Sequence, residues 1–358
     1  MKIKKLSINQ LRNISNAELK FAQSINVIQG GNGAGKTSLL EAIYLLARAR
    51  SFRSTQSKKL IQTKKNSLTI FALAESHNEK EIRIGLKKEG GQNLIKIDGK
   101  RIKKLSQLAA TLPIALITPQ SHRLIEEGPD YRRRLLNWGV FHVEHSYREL
   151  LSKYNRVIAQ RNASLKGRNK DIEVWNQQLN TYAEEIMSLQ TSYVVSWNNA
   201  FKQLTDGIDF LKSINIGYQQ GWEKGLSLTD ALNKKIQIDQ TRGFTSVGPH
   251  RSDFRLTIDG ATVKNHLSRG QQKFLVTLLL LAQAKVKFSK EREKTVILFD
   301  DFQSELDLVT QSNLLEIIQG EACQTFMTII DREKGLEQKL GPDDEMFHVE
   351  HGSFSPVT

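Results

Sequence analysis

Gly30-Gly31-Asn32-Gly33-Ala34-Gly35-Lys36-Thr37 decides the fold class of this chain. A glycine, four residues, a second glycine, a lysine and a threonine form the P-loop pattern, whose backbone N–H groups turn inward around phosphates. The neighbours on each side fit the strand, loop and helix that such a loop requires. Ser24-Ile25-Asn26-Val27-Ile28-Gln29 reads as a short apolar strand, and Leu39, Leu40, Ile43, Leu46 and Ala47 then recur at helical spacing. A helix N-terminus behind the loop favours negative charge, Lys36 neutralises the β- and γ-phosphates, and Thr37 is placed to coordinate Mg²⁺. Gly30, Gly31, Asn32, Gly33, Ala34, Gly35, Lys36, Thr37 and Ser38 are therefore the candidate ATP contacts.

A metal site at a P-loop needs an acidic partner at the end of a buried strand. Val296-Ile297-Leu298-Phe299-Asp300-Asp301 has that form, with four apolar residues followed by two carboxylates, so Asp300 is the second Mg²⁺ candidate beside Thr37. Upstream of it, Leu267-Ser268-Arg269-Gly270-Gln271-Gln272-Lys273 leads into an apolar helix from Phe274 to Ala284. This stretch resembles the LSGGQ signature of ABC-type ATPases, with Arg269 in place of the first of its two glycines. Ser304-Glu305-Leu306-Asp307 resembles the D-loop of the same superfamily. The resemblance implies that Ser268, Gly270 and Gln271 reach ATP held by a second copy, and that ATP joins two subunits. It also implies that Asp301 orients the attacking water, a role more often held by glutamate, so that hydrolysis is slow. Arg12 in Leu11-Arg12-Asn13 stands where the superfamily places an arginine near the nucleotide. Gln120 is a candidate for the glutamine that links the γ-phosphate to the arm, and the histidine often found after the next strand is missing from Phe326-Met327-Thr328-Ile329-Ile330-Asp331.

Away from these motifs, composition bounds the rest. The 358 residues, 39% hydrophobic and 25% charged, suffice for a core and two domains. Lys and Arg number 52 against 38 Asp and Glu, a net charge of +14, which points to a polyanionic partner. The longest apolar stretch, Phe274 to Val286, contains Thr277 and Gln283 and is too short to span a bilayer. The basic N-terminus is followed by polar residues that break any signal-peptide core, so the expected location is cytoplasmic. Cys323, the single cysteine, reads as a packed thiol.

The middle of the chain carries helical periodicity. Leu150, Leu151, Tyr154, Val157 and Ile158 form one run, and Trp175, Leu179, Tyr182, Ile186, Leu189, Tyr193, Trp197, Ala200 and Leu204 form a second. The aromatic positions of the second run read as core packing, and Asp206-Gly207 is its stop signal. Asp98-Gly99 and Asp259-Gly260 each mark the tight turn of a β-hairpin. The expected fold is α/β: an ABC/SMC-type P-loop ATPase head with mixed β-sheets flanked by helices, plus an inserted α-helical arm. Its expected boundaries are 1–124 for the N-terminal part of the head, 125–235 for the arm and 236–358 for the remainder of the head.

Within the superfamily, the span from Lys36 to Asp300 exceeds a compact transporter domain and falls far short of the coiled coils of an SMC protein. Further segments resemble the RecF family of bacterial recombination-repair proteins: Leu40-Glu41-Ala42-Ile43-Tyr44 behind the P-loop, Ser51-Phe52-Arg53, Thr118-Pro119, Gly128-Pro129, Arg132-Arg133-Arg134, Gly248-Pro249-His250-Arg251 and Ser268-Arg269-Gly270-Gln271. Ser252 stands where an acidic residue is common. The resemblance covers essentially the whole chain and implies a cytosolic ATPase that dimerises on ATP. It also implies association with duplex DNA at single-strand gaps, slow DNA-stimulated hydrolysis, and work with RecR and RecO to load RecA. Arg48, Arg53, Lys58, Lys59, Lys100, Arg101, Lys103 and Lys104 are candidate DNA contacts because they cluster in sequence, and Arg132–Arg134 are candidates to anchor the arm. The rival readings are the ATP-binding subunit of a membrane transporter, which the basic charge and arm oppose, and a small-molecule kinase, which has no need of Ser268-Arg269-Gly270-Gln271.

Overall fold

The computed structural model describes residues 1–167, 172–330 and 339–357. The chain divides into two compact units, Met1–His122 with Ser268–Thr358, and Arg123–Leu267.

The first unit is built on two six-stranded sheets. One has the order β2-β1-β4-β5-β6-β7 and is antiparallel, with β1 (Lys2–Leu11), β2 (Ile14–Lys20), β4 (Ser67–Glu75), β5 (Glu81–Glu89), β6 (Gln92–Ile97) and β7 (Lys100–Arg101). Leu6 and Ile8 of β1 stand opposite Ala72 and Ile70 of β4, and Ile3 opposite Ala74 beyond a register shift between Ile3 and Lys5; all turn inward and are buried, as a one-face-buried sheet requires. The second sheet runs β15-β14-β3-β13-β12-β8, with β3 (Ile25–Gln29), β8 (Ile114–Ile117), β12 (Thr295–Phe299), β13 (Cys323–Ile329), β14 (Glu345–Glu350) and β15 (Ser353–Pro356). Its central strands β3, β12 and β13 are parallel, and every residue in them is buried, including the polar Asn26, Gln29, Gln324, Thr325 and Thr328.

Helix α1 (Lys36–Arg48) packs against strands of both sheets, and its predicted apolar face, Leu39, Leu40, Ile43, Leu46 and Ala47, is fully buried in their common core. The short α2 (Leu105–Thr111) packs on α1. Helix α8 (Arg269–Glu291) carries the apolar stretch from Phe274 to Val286, all of it buried except Lys285, and α9 (Leu308–Gly320) follows β12 and the Asp300-Asp301 pair. Cys323 is buried, and burial pushes its thiol up to about 11. Among the described residues no helix is long and apolar enough to cross a membrane.

The second unit holds α3 (Arg123–Glu126), α4 (Pro129–Phe141), α5 (Tyr147–Gly167), α6 (Ile172–Leu204) and α7 (Leu228–Arg242), with a three-stranded sheet of β9 (Ile214–Gln219), β10 (Asp253–Ile258) and β11 (Ala261–Thr262). The two periodic runs form α5 and the 33-residue α6, and Gly207, at φ 83°, follows the end of α6. The aromatic stripe packs inward: Trp197 is fully buried and meets Phe254 edge-on at 4.8 Å. Both predicted hairpin turns form, with Asp98, Gly99, Asp259 and Gly260 all at positive φ.

The expected arm limits, 125–235, differ at their second end. Residues 236–267 join this unit because β10 pairs with β9 from Asp253↔Gln219 to Ile258↔Ile214, a long-range pairing that helical periodicity does not reveal. The returning part of the head starts at Ser268, and the arm is helical with a sheet of its own. Arg132 holds β10 by a forked ion pair to Asp253, with Nη2 to Oδ2 at 2.7 Å. Ser252, in the place of an acidic residue, is buried and donates its hydroxyl to Gln190 and to the Pro249 carbonyl.

Candidate nucleotide site and basic groove

The P-loop residues leave β3, turn, and enter α1 at Lys36. Gly35 lies at φ 125°, a conformation closed to other residues, and a Cβ there would also press on the Asn13 amide at 3.0 Å. Asn13 buttresses the loop, its Nδ2 donating to the carbonyls of Ala34 and Gly33 while its Oδ1 accepts from the Ser38 hydroxyl at 3.0 Å. The ammonium of Lys36 is folded over the loop and donates to the carbonyls of Gly30 (2.6 Å) and Gly31 (2.9 Å).

Parallel pairing brings the second half of the site to the same edge. Phe299 is level with Met327, so Asp300, one residue on, meets Thr328. Asp300 Oδ1 accepts from both Thr37 Oγ1 (2.9 Å) and Thr328 Oγ1 (3.0 Å). Burial raises the Asp300 pKa, while these two hydrogen bonds and the charge of Arg53 pull it back and Asp301 adds to the rise. The Asp301 amide donates to Thr328 Oγ1 at 2.8 Å, so one hydroxyl sets two consecutive residues.

These groups line one cavity of about 400 Å³, formed by Arg12, Asn13, Gly31 to Ser38, Arg53, Pro119, Asp300, Asp301, Thr328 and Ile330. The loop and the α1 N-terminus suit an anion, and two hard oxygen donors of the kind Mg²⁺ takes, Thr37 and Asp300, lie together in it. Of the sequence candidates, Gly30 does not line the cavity; it contributes its carbonyl to Lys36. Arg12 lines it but is already held in a forked pair by the fully buried Glu41 of α1, at 2.8 and 2.9 Å. Gln120 is absent from the lining, where its neighbour Pro119 appears, and its amide bonds to Thr118. Of the segment lacking a histidine, Asp331 lies outside the described residues, and Thr328 proves to be its contribution to the site.

Ser268, Gly270 and Gln271 do not line the cavity of their own chain. Ser268 caps α8 in a reciprocal capping box with Gln271 and is exposed at the helix N-terminus. Beyond it, Leu308 and Val309 at the start of α9 are 67% and 70% exposed.

A second cavity, of about 720 Å³, shares Arg12 with the first and is lined by Lys58, Lys59, Lys64, Lys65 and Lys88, with Glu89 and the Gly90-Gly91 turn. Lys88 is buried, donating to the Ala49 carbonyl at the end of α1. Lys58, Lys59, Lys64 and Lys65 are exposed. The structure does not bring the sequence-clustered basic residues into one patch. Lys100, Arg101, Lys103 and Lys104 follow the β6–β7 turn, at the opposite end of β6 from the Gly90-Gly91 turn. Arg53 faces Asp300 in the first cavity, and Arg48 is partly buried at the end of α1, its pKa lowered by that burial.

A family model of the RecF/RecN/SMC N-terminal domain matches residues 2–351. The DNA replication and repair protein RecF of Shewanella denitrificans is 38% identical over 362 aligned residues that cover both chains completely. The chain belongs to the RecF family. A second RecF-family relative, from Shewanella sediminis, is 37% identical with both chains again fully covered. Among solved structures, the recombination mediator protein RecF with ATP, of the RecFOR pathway, superposes with a TM-score of 0.85 at 26% identity, over 100% of this chain and 98% of that one. An Smc head bound to the C-terminal winged-helix domain of ScpA superposes with a TM-score of 0.59 at 15% identity, over 100% and 97% of the two chains, a likeness of fold. The ABC/SMC-type head expected from the motifs is thus the observed fold.

Proposed function

We propose that this RecF-family chain is an ATP-dependent DNA-binding protein of recombinational repair and replication-fork maintenance. The observation that carries the reading is the convergence of the P-loop, Thr37, Asp300, Thr328 and Asp301 on one cavity. ATP lies with its phosphates along Gly31–Thr37, with Lys36 moving from the loop carbonyls to the β- and γ-phosphates. Mg²⁺ held by Thr37 and Asp300 offsets phosphate charge. Asp301 orients the water that attacks the γ-phosphate, and its short side chain makes turnover slow. Arg53, beside Asp300, serves the phosphates before DNA.

Ser268, Gly270 and Gln271 act on the nucleotide of a second copy, supported by the exposure of Ser268 and by the apolar Leu308 and Val309 beside the D-loop-like segment. The dimer binds duplex DNA at single-strand gaps through Lys58, Lys59, Lys64 and Lys65, is stimulated by it, and works in the cytosol with RecR and RecO to load RecA. Four phosphate contacts per copy, about eight in the dimer, predict that raising salt from about 50 to 200 mM lowers affinity roughly 10⁴-fold.

The test is titration of a fluorescent gapped duplex with and without ATP and Mg²⁺ at those two salt concentrations, using the unaltered chain and Ser268→Arg. ATP-dependent, salt-sensitive binding that Ser268→Arg loses supports the reading. Absence of binding in every condition refutes it and favours a transporter-type ATPase.

A further inference from the structure

Lys273 lies on α8 between the Ser268 cap and the apolar core of the helix, and its side chain is 1% exposed. Its ammonium donates to three backbone carbonyls of one short segment: Ser304 (2.6 Å), Asp301 (2.8 Å) and, more weakly, Phe302 (3.4 Å). It also lies 5.3 Å from the centre of the Phe299 ring. Three donors thus meet three acceptors, the full capacity of an ammonium group. Asp301 stands in the left-handed region at φ 57°, an uncommon place for a residue with a side chain, so its conformation has to be held from outside. Thr328 holds its amide and Lys273 its carbonyl, and the direction of its carboxylate follows from the two. A second fastening lies near the first. Gly270 approaches the carbonyl of Glu305 so closely that a Cβ would stand 2.4 Å from it.

We propose that Lys273 is a positioning residue that aims the Asp301 carboxylate and makes the Ser268 turn and the Asp301–Glu305 segment move as one body. The inference rests on the ATPase reading above. Under that reading Ser268 serves the nucleotide of the second copy and Asp301 serves its own. Lys273 therefore transmits engagement at one site to hydrolysis at the other.

The experiment compares the full-length unaltered chain with Lys273→Met, Lys273→Arg, Asp301→Asn and the Lys273→Met/Asp301→Asn double variant. Steady-state ATP hydrolysis and fluorescent-nucleotide titration are measured on each. Lys273→Met is expected to lower kcat about tenfold or more with nucleotide affinity changed less than about twofold, the signature of a loss confined to the chemical step. Lys273→Arg, which keeps charge and donors, recovers part of kcat. In the Asp301→Asn background Lys273→Met costs nothing further, because the residue acts through Asp301. Unchanged kcat in folded Lys273→Met, no recovery by arginine, or losses that multiply in the double variant each overturn the inference while leaving the ATPase reading intact. Lack of nucleotide binding by the unaltered chain overturns both. Should Lys273→Met fail to fold, Lys273→Gln, which keeps a polar end but removes the ammonium, takes its place: lowered kcat with retained nucleotide affinity supports the inference, and unchanged kcat overturns it.

Discussion

The nucleotide cavity and the polar core of the Arg123–Leu267 unit draw on the same chemistry to opposite ends. In the cavity, Lys36, Thr37, Asp300 and Asp301 line an open space, and Lys36 and Thr37 make bonds that a phosphate or metal can replace. In the other unit, Arg161 and Asp239 are both fully buried, 2.8 Å apart, with Arg161 also bonded to Asn176 and Thr245 and Asp239 accepting from the Ser246 amide. Tyr154 and His250 bond to each other beside them, and His250 to the Thr245 carbonyl. Burial shifts pKa values in both places. What separates a site from a scaffold is whether the polar groups converge on space or on one another.

Removing one partner of the enclosed pair tests this most severely. Arg161→Met leaves Asp239 as a buried charge without its counter-ion, which costs about 3–5 kcal/mol. All four tryptophans, Trp138, Trp175, Trp197 and Trp222, lie in this unit, so tryptophan fluorescence follows its melting separately. The expected result is a much lower fluorescence midpoint with nucleotide affinity unchanged below the transition. Loss of nucleotide binding while the unit is still folded would show that the polar core serves the site.

The converse substitution is Lys36→Ala. Charge-assisted hydrogen bonds contribute about 1.5–3 kcal/mol, so affinity for a fluorescent ATP analogue is expected to fall roughly 100-fold, with the tryptophan melting midpoint unmoved. Retained affinity would remove Lys36 from the phosphate site.

The same contrast explains which features could be read from the sequence. The P-loop is legible because phosphate contact fixes residue type and spacing at Gly30, Gly35, Lys36 and Thr37, and Asp300 because carboxylates after an apolar strand are conspicuous. Thr328 was not, because a strand hydroxyl is ordinary in sequence; only the register of β13 on β12 makes it the bridge between Asp300 and Asp301. Glu41 and Lys273 were hidden in helices where a charge usually faces water, and their burial depends on partners far away in the chain. The basic groove was half legible. Lys58 and Lys59 belong to it, but Lys64 and Lys65 join them only through the fold, and β6 carries Lys100–Lys104 to its far end. The arm's second boundary is hidden for the same reason, since β10 returns to β9 across α7.

A titration inside the enclosed core gives the smallest expected effect. His250 has its pKa lowered from 6.5 to about 4, first by burial and then by the charges of Arg251 and Arg133, against the opposing effects of the Thr245 carbonyl and Asp239. Its neutral ring suits its neighbours, with Nε2–H donating to Thr245 and Nδ1 accepting from the Tyr154 hydroxyl. Above pH 6.5 the ring is neutral both folded and unfolded, so it exerts no pH dependence. As pH falls from 6.5 toward 4, the unfolded chain takes up a proton that the folded chain refuses, and stability drops. At about 1.4 kcal/mol per tenfold in proton affinity, and discounting for the partly exposed edge of the ring, the loss is roughly 2 kcal/mol. Tryptophan-detected melts at pH 7.5, 5.5 and 4 should therefore fall more steeply for the unaltered chain than for His250→Gln, which lacks the titration. Parallel decline of the two would mean that His250 titrates as it does in water, and that this core is as open to solvent as the cavity it is contrasted with.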